Sequence, residues 1–212
     1  PGFTNRVLSP VVRVAAVAFE ETARYYGTKA RVTGQPVRKA FAHVPPKQHL
    51  APYTILIIGG SQGSAAINQC VIRSLPLGKQ FAGEWRFVHQ TGERDYNAVR
   101  QAYEAEGLGA EVHAFIENVP EVFARADLVI SRAGATALAE LTVAGKASLL
   151  IPFPGATDRH QLENARVLER AGAARVLEQE TLTPERLVEE IRSLLDRPAQ
   201  LVEMERAARQ LA

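Results

Sequence analysis

From Tyr53 onward, short apolar, β-prone runs alternate with longer amphipathic stretches, the sequence form of repeated βα units around a parallel sheet. The runs at 54–58, 85–90, 111–115, 128–131, 147–151 and 174–177 are rich in Val, Ile, Leu or aromatic side chains and predict six strands of an α/β domain. Between them, helices are predicted over 64–74, 96–106, 119–125, 136–144 and 158–170, followed by 184–196 and a last helix from Pro198. Asp158, with Gln161 three residues on, has the spacing of a capping box, and Thr183 places an N-cap ahead of a proline at the first helical position. Gly107, Gly145 and Gly172 fall where helices should end, as left-handed C-caps do.

The first fifty residues are patterned differently. Residues 11–19 and 30–33 read as strands separated by 20–26, and then Gly34-Gln35-Pro36 and Pro45-Pro46 interrupt regular structure. A piece of about forty residues is too short to bury its own core. Residues 1–37 are therefore expected to be the end of a preceding domain, and 38–212 a second one. The opening Pro1-Gly2-Phe3-Thr4-Asn5-Arg6 has neither an initiating methionine nor a signal pattern and reads as the interior of a longer polypeptide. Its apolar runs, 14–19 and 55–58 at the longest, fall far short of the roughly 20 residues a transmembrane helix needs.

Composition narrows the class. A hydrophobic share of 46% with 23% charged residues is that of an ordinary globular protein. Twenty-five basic against 23 acidic residues leave a net charge of +2 with no basic run, which argues against nucleic acid as a partner. The single cysteine, Cys70, excludes an internal disulfide and a cysteine zinc site, and fits a reducing cytoplasm.

Three turns after strands carry candidate chemistry. Ile55-Leu56-Ile57-Ile58 runs directly into Gly59-Gly60-Ser61-Gln62-Gly63-Ser64 and then an alanine-rich helix, an arrangement suited to an anion because glycines let the backbone approach a phosphate and the helix N-terminus offers unpaired N–H donors. It is neither a Walker loop nor a clean G-x-G-x-x-G fingerprint, so a tight βα turn with no ligand stays open as an alternative. Ser131-Arg132-Ala133-Gly134-Ala135-Thr136 makes a second such turn on the same sheet edge, opening a helix on which Glu140 could accept hydrogen bonds from a ribose diol or simply face solvent. The third, from Ile151 to Gln161, gathers polar side chains after two prolines, though a capping box would also explain Asp158 and Gln161. Arg38 has the planar guanidinium that grips a diphosphate in bidentate fashion, or is a surface arginine in a linker. His43, His49, His89 and His113 have no metal spacing, and no catalytic constellation can be assembled from order alone.

Together, Gly59–Ser64, Ser131–Glu140 and Pro152–Ala165, with Pro1–Arg6 and Val32–Arg38 ahead of them, closely resemble the undecaprenyldiphospho-muramoylpentapeptide N-acetylglucosaminyltransferase family over nearly the whole chain. The resemblance implies a GT-B enzyme of two Rossmann-like domains facing across a cleft. This chain would supply mainly the C-terminal donor domain, a parallel sheet with helices on both faces, plus a remnant of the other. It implies UDP-N-acetylglucosamine as donor and lipid I as acceptor through the N-terminal half, with inversion at the anomeric carbon, no metal and no cofactor. The location implied is the cytoplasmic face of the cell membrane, as a peripheral protein. Carried over by position, Asn5 resembles the asparagine reaching the donor from the N-terminal domain, Arg38 the hinge arginine and Ser61 the glycine-loop phosphate contact. Ile116 resembles the residue whose backbone pairs with uracil. Ala135, Thr136, Ala137, Leu138, Ala139 and Glu140 resemble the segment enclosing nucleotide and ribose, and Gln161 the glutamine near the sugar. His160 departs from the family, where a second glutamine is common. The family's base histidine lies in an N-terminal loop upstream of Pro1, so no catalytic residue is assigned here. A UDP-sugar 2-epimerase or glycolipid glucosyltransferase of the same fold, and a nucleotide-binding module without turnover, are the competing readings.

Overall fold

A computed structural model describes residues 3–17, 20–155 and 160–212. Two sheets organise them. The smaller is a parallel pair, β1 (Ala15–Val17) and β2 (Ala30–Val32), accompanied by the short helices α1 (Phe3–Leu8) and α2 (Glu20–Tyr26). The larger contains β3 (Tyr53–Ile58), β4 (Trp85–Gln90), β5 (Ala110–His113), β6 (Leu128–Ser131), β7 (Ser148–Leu150) and β8 (Ala174–Val176). Its spatial order is β5-β4-β3-β6-β7-β8, every pair parallel. The winding direction reverses between β3 and β6, and such a reversal opens a crevice beyond the carboxyl ends of those two strands.

All six predicted strands are present because the sheet is covered on both faces, which demands near-continuous apolar runs. Ile55 and Ile57 of β3 face one layer, against α3 (Ala65–Gly78) and α8 (Pro184–Leu195) through Ile67, Val71, Leu187 and Ile191. Leu56 faces the other, against α5 (Val119–Arg125), α6 (Ala135–Ala144) and α7 (His160–Arg170) through Phe123, Leu138 and Leu168. Helices α4 (Tyr96–Glu106) and α9 (Pro198–Gln210) complete the set among the described residues. Thr183 caps α8 as expected, its hydroxyl accepting from the Arg186 N–H, and Gly145 ends α6 in the left-handed region at φ 61°. The Asp158 half of the predicted capping box lies outside the described residues.

Three elements differ from the sequence pattern by two residues or more at an end that the structure describes. Of the strand expected over 11–19, the described residues show Ala15–Val17 paired with β2, with Val11 and Val14 ahead of it exposed, and residues 18 and 19 lie outside the described residues. The strand expected over 111–115 ends at His113, and Phe115 turns outward. Helix α3 continues past Ser74 and Pro76 to Gly78, its last turn anchored by the buried Leu75.

The amino ends of the strands are closed by charge. Asp127, wholly buried just before β6, accepts from Lys47, from His49 Nδ1 at 2.8 Å and from the Thr54 N–H at 2.7 Å. Glu205 of α9 lies 3.4 Å from His49 Nε2 and 3.7 Å from Lys146 Nζ, and Lys146 donates to the Ala126 carbonyl at 3.1 Å. The segment that joins the two sheets is fastened in this way to the far end of the chain.

Candidate functional site

At the carboxyl ends of the same strands the loops leave a cleft of about 1060 Å³, walled by the Gly59–Ser64 loop, the segments after β5 and β6, the first turns of α6, and Phe153, Gln161 and Gln179. The glycine loop owes its shape to crowding as well as to any ligand. A Cβ on Gly63, at φ 71°, would stand 1.8 Å from the Thr91 carbonyl oxygen, and one on Gly59 would stand 2.5 Å from the Ser64 nitrogen. Gly60, at φ 85°, has open space around it. Asn68 of α3 holds the Thr91 backbone that crowds the loop: its amide donates to the Thr91 carbonyl at 2.9 Å and to Asp95 at 2.8 Å, while its oxygen lies 3.1 Å from His89 Nε2. Burial lowers the His89 pKa to about 3, so this ring is neutral and serves as structure.

Helix α6 points its amino end into the cleft. Its N-cap is Gly134, with no side chain bonded back to the first turn, so the N–H groups there and the positive end of the helix dipole are available to an anion. One turn further, Glu140 also lines the cleft, and burial raises its carboxyl pKa against the opposing charge of Arg38. Arg38 itself is exposed on the opposite wall, donating to the Glu117 carbonyl at 3.4 Å and lying over the Phe41 ring at 5.2 Å.

The structure brings Arg38, Ser61, Ile116, Ala135, Thr136, Ala137, Glu140 and Gln161 to one cleft. The Ile116 N–H already donates to Gln90 Oε1 at 3.3 Å, and the Gln161 oxygen accepts from the N–H groups of Ala133 and Phe153. The structure does not bring three other candidates there. Leu138 is 1% exposed and packs in the core, Ala139 lines a separate groove beside Gly34 and Leu168, and Asn5 sits exposed on α1 with its carbonyl 3.5 Å from the Tyr26 hydroxyl.

Two residues escaped the sequence reading. Gln90, buried at the end of β4, donates to the Gly60 carbonyl at 2.8 Å while accepting from Ile116, and so ties the glycine loop to the segment after β5. Its only signal was a polar residue closing an apolar run. Arg132, directly after β6, lies between three loops. Its guanidinium reaches the carbonyls of Ile151 and Pro152, the Ser64 hydroxyl and Gln179. Burial lowers its pKa to about 10, so it stays charged at neutral pH. Among the described residues no group of three or more His, Cys, Asp or Glu is placed to hold a metal ion.

A doubly wound sheet with an anion-ready cleft at its reversal point is shared by many proteins; the deciding observation is that residues 54–212 match the model of the glycosyltransferase family 28 C-terminal domain. The chain belongs to glycosyltransferase family 28. Curated relatives agree with that membership. A UDP-N-acetylglucosamine–N-acetylmuramyl-(pentapeptide) pyrophosphoryl-undecaprenol N-acetylglucosamine transferase of Myxococcus xanthus is 44% identical over 98% of this chain and 55% of its own length. The protein of the same description from Solibacter usitatus is 44% identical over 100% of this chain and 58% of its own length. The solved structure of Acinetobacter baumannii MurG superposes with a TM-score of 0.82 at 36% identity, covering 99% of this chain and 59% of that one. The family 28 chain described here thus spans a little over half the length of the relatives it matches.

Proposed function

We propose that this chain is the donor-binding part of a glycosyltransferase that moves N-acetylglucosamine from UDP to the C4 hydroxyl of the muramyl sugar of lipid I, giving lipid II for peptidoglycan synthesis. The observation that carries the reading is the convergence in one cleft of an open glycine turn, an uncapped helix N-terminus, two arginines and a half-buried carboxylate. That is a set of groups matched to a diphosphate with a ribose beside it. The 44% identity to transferases of this description supports the choice of sugar and acceptor.

In this reading Ser61, the first turn of α6 and Arg38 hold the diphosphate, Glu140 accepts from the ribose hydroxyls, and Ala135, Thr136 and Ala137 enclose the nucleotide. The uracil lies along Ile116, whose carbonyl can accept directly, while its N–H must first leave Gln90. The Gln161 amide nitrogen donates to the sugar. Asn5 belongs to residues 1–37, the end of a preceding acceptor-side domain, and 38–212 form the donor domain. The acceptor hydroxyl oxygen attacks the anomeric carbon from the face opposite UDP, the bond from that carbon to the β-phosphate oxygen breaks, and the configuration inverts. The hydroxyl proton passes to a base in the N-terminal half. What these residues contribute is stabilisation of the negative charge that accumulates on the departing diphosphate, through fixed N–H dipoles and guanidinium groups. The lipid-linked acceptor puts the whole enzyme at the cytoplasmic face of the membrane as a peripheral protein; among the described residues no helix is long and apolar enough to cross one.

Calorimetric titration tests the reading. UDP-N-acetylglucosamine is expected to bind more tightly than UDP-glucose, NAD is expected not to bind, and Glu140→Ala is expected to abolish the signal. Equal affinity for NAD and UDP-N-acetylglucosamine, or an unchanged Glu140→Ala titration, contradicts it.

A further inference from the structure

Arg132 is held by oxygen atoms from three separate parts of the chain: the Ile151 and Pro152 carbonyls at 3.1 and 3.2 Å, the Ser64 hydroxyl at 2.7 Å and Gln179 Oε1 at 2.7 Å. The Phe153 ring lies 5.4 Å from the guanidinium carbon and covers it. Every one of these partners is neutral. Among the described residues no carboxylate forms an ion pair with Arg132, whereas Asp127 at the other end of the sheet collects two basic groups. Arg132 is half-buried, and a cation withdrawn from water is normally matched by an anion, since dipoles alone recover only part of its lost hydration. Here the unmatched charge borders a cleft that also receives the positive end of α6. Both fields add in the same space, and both favour a negative ligand.

The contact to Ser64 adds a mechanical role. Ser64 is the N-cap of α3, its hydroxyl accepting from the Ile67 N–H, and it terminates the glycine loop. By donating to that hydroxyl, Arg132 fixes the loop relative to the strands on the far side of the reversal point. Four of its N–H donors are committed to protein oxygens, so it acts without leaving them.

We propose that Arg132 is a positioning residue for the donor diphosphate: a fixed internal cation that aligns the glycine loop through Ser64 and supplies positive potential to the phosphates without touching them. This rests on the donor-site reading above and goes beyond it, because Arg38, on the exposed wall, is the arginine the motif pattern singles out.

The test compares uridine, UMP and UDP as probes for the unaltered chain, Arg132→Lys and Arg132→Gln, with thermal melting to verify folding. Arg132→Gln is expected to weaken UDP on the order of tenfold or more, UMP less, and uridine by under about twofold, since the effect must scale with ligand charge. Arg132→Lys keeps the charge and is expected to retain most of the preference for UDP over uridine. Should Arg132→Gln not fold, Arg132→Met, which keeps the stem, takes its place in the same comparison. Equal losses for uridine and UDP, no loss at all, or a folded lysine variant as impaired toward UDP as the neutral one, overturns the inference and leaves the donor reading intact. Failure of the unaltered chain to bind UDP overturns the donor reading, and the inference with it.

Discussion

The two ends of the large sheet handle charge in opposite ways. At the amino ends of the strands, Lys47, His49, Asp127, Lys146 and Glu205 close on one another. Burial opposes the ionised form of Asp127, but His49, Lys47 and the Thr54 N–H outweigh it and hold the carboxyl below its usual range. His49 is likewise disfavoured as a cation by burial, yet Asp127 and Glu205 lift it to about 9. At the carboxyl ends nothing closes. Among the described residues Arg132 has only neutral partners, the Glu140 carboxyl is raised by burial, and α6 begins without a side-chain cap. Identical βα units build both ends, so the difference lies in a few side chains. A balanced end holds the chain together; an unbalanced end is completed by something from outside.

The largest effect is expected at the balanced end. Asp127→Ala leaves the buried His49 and the half-buried Lys47 without the anion they share and should cost about 3–5 kcal/mol in urea unfolding, while nucleotide affinity of the folded fraction stays unchanged. A comparable loss of affinity would mean that the two ends are coupled and the comparison is false. Next comes the loop that crosses from structure to site. Gly63→Ala combines a left-handed backbone with a Cβ thrust against the Thr91 carbonyl and should cost about 3 kcal/mol. Gly60→Ala has the same backbone sign but open space, and about 1 kcal/mol is expected for it.

A pH series sharpens the contrast further. The folded pKa of His49 is raised, so its stabilising contribution is complete below the unfolded value of 6.5 and disappears as pH climbs through about 9. The unfolding free energy should therefore fall between pH 6.5 and 9, by on the order of 2 kcal/mol, and His49→Asn should flatten that slope in urea unfolding. The smallest stability effect belongs to the open end. Glu140→Gln should leave unfolding within about 0.5 kcal/mol of the parent, as expected for a group with no ion pair among the described residues. Its cost should appear instead in nucleotide affinity, about tenfold by calorimetry, because the amide is a poorer acceptor for a ribose diol than the carboxylate.

What the sequence revealed follows the same division. The six strands were legible because both of their faces are buried, and α4 and α5 were bounded correctly, α4 with Gly107 as its C-cap. The glycine turn and the Ala135–Glu140 segment were legible as local runs, one strand followed by one helix start. Arg132 and Gln90 were not, because their meaning depends on partners far along the chain: Ser64 is 68 residues from Arg132, and Ile116 is 26 from Gln90. His49 had no metal spacing and was given no role, and its partner Asp127 is 78 residues away. Helix α1 is only six residues long, too short for a periodic pattern to register. Leu138 shows the reverse limit: it belongs to a run that lines the cleft, but its own helical phase turns it into the core.

The most direct test of the central claim, that the unbalanced end is a uridine-diphosphate-sugar site, is a crystal structure of the chain soaked with UDP-N-acetylglucosamine. The diphosphate is expected between the Gly60 turn and the amino end of α6, the ribose on Glu140 and the uracil along Ile116. A nucleotide bound elsewhere, or one whose phosphates face away from α6 and Arg132, would contradict it.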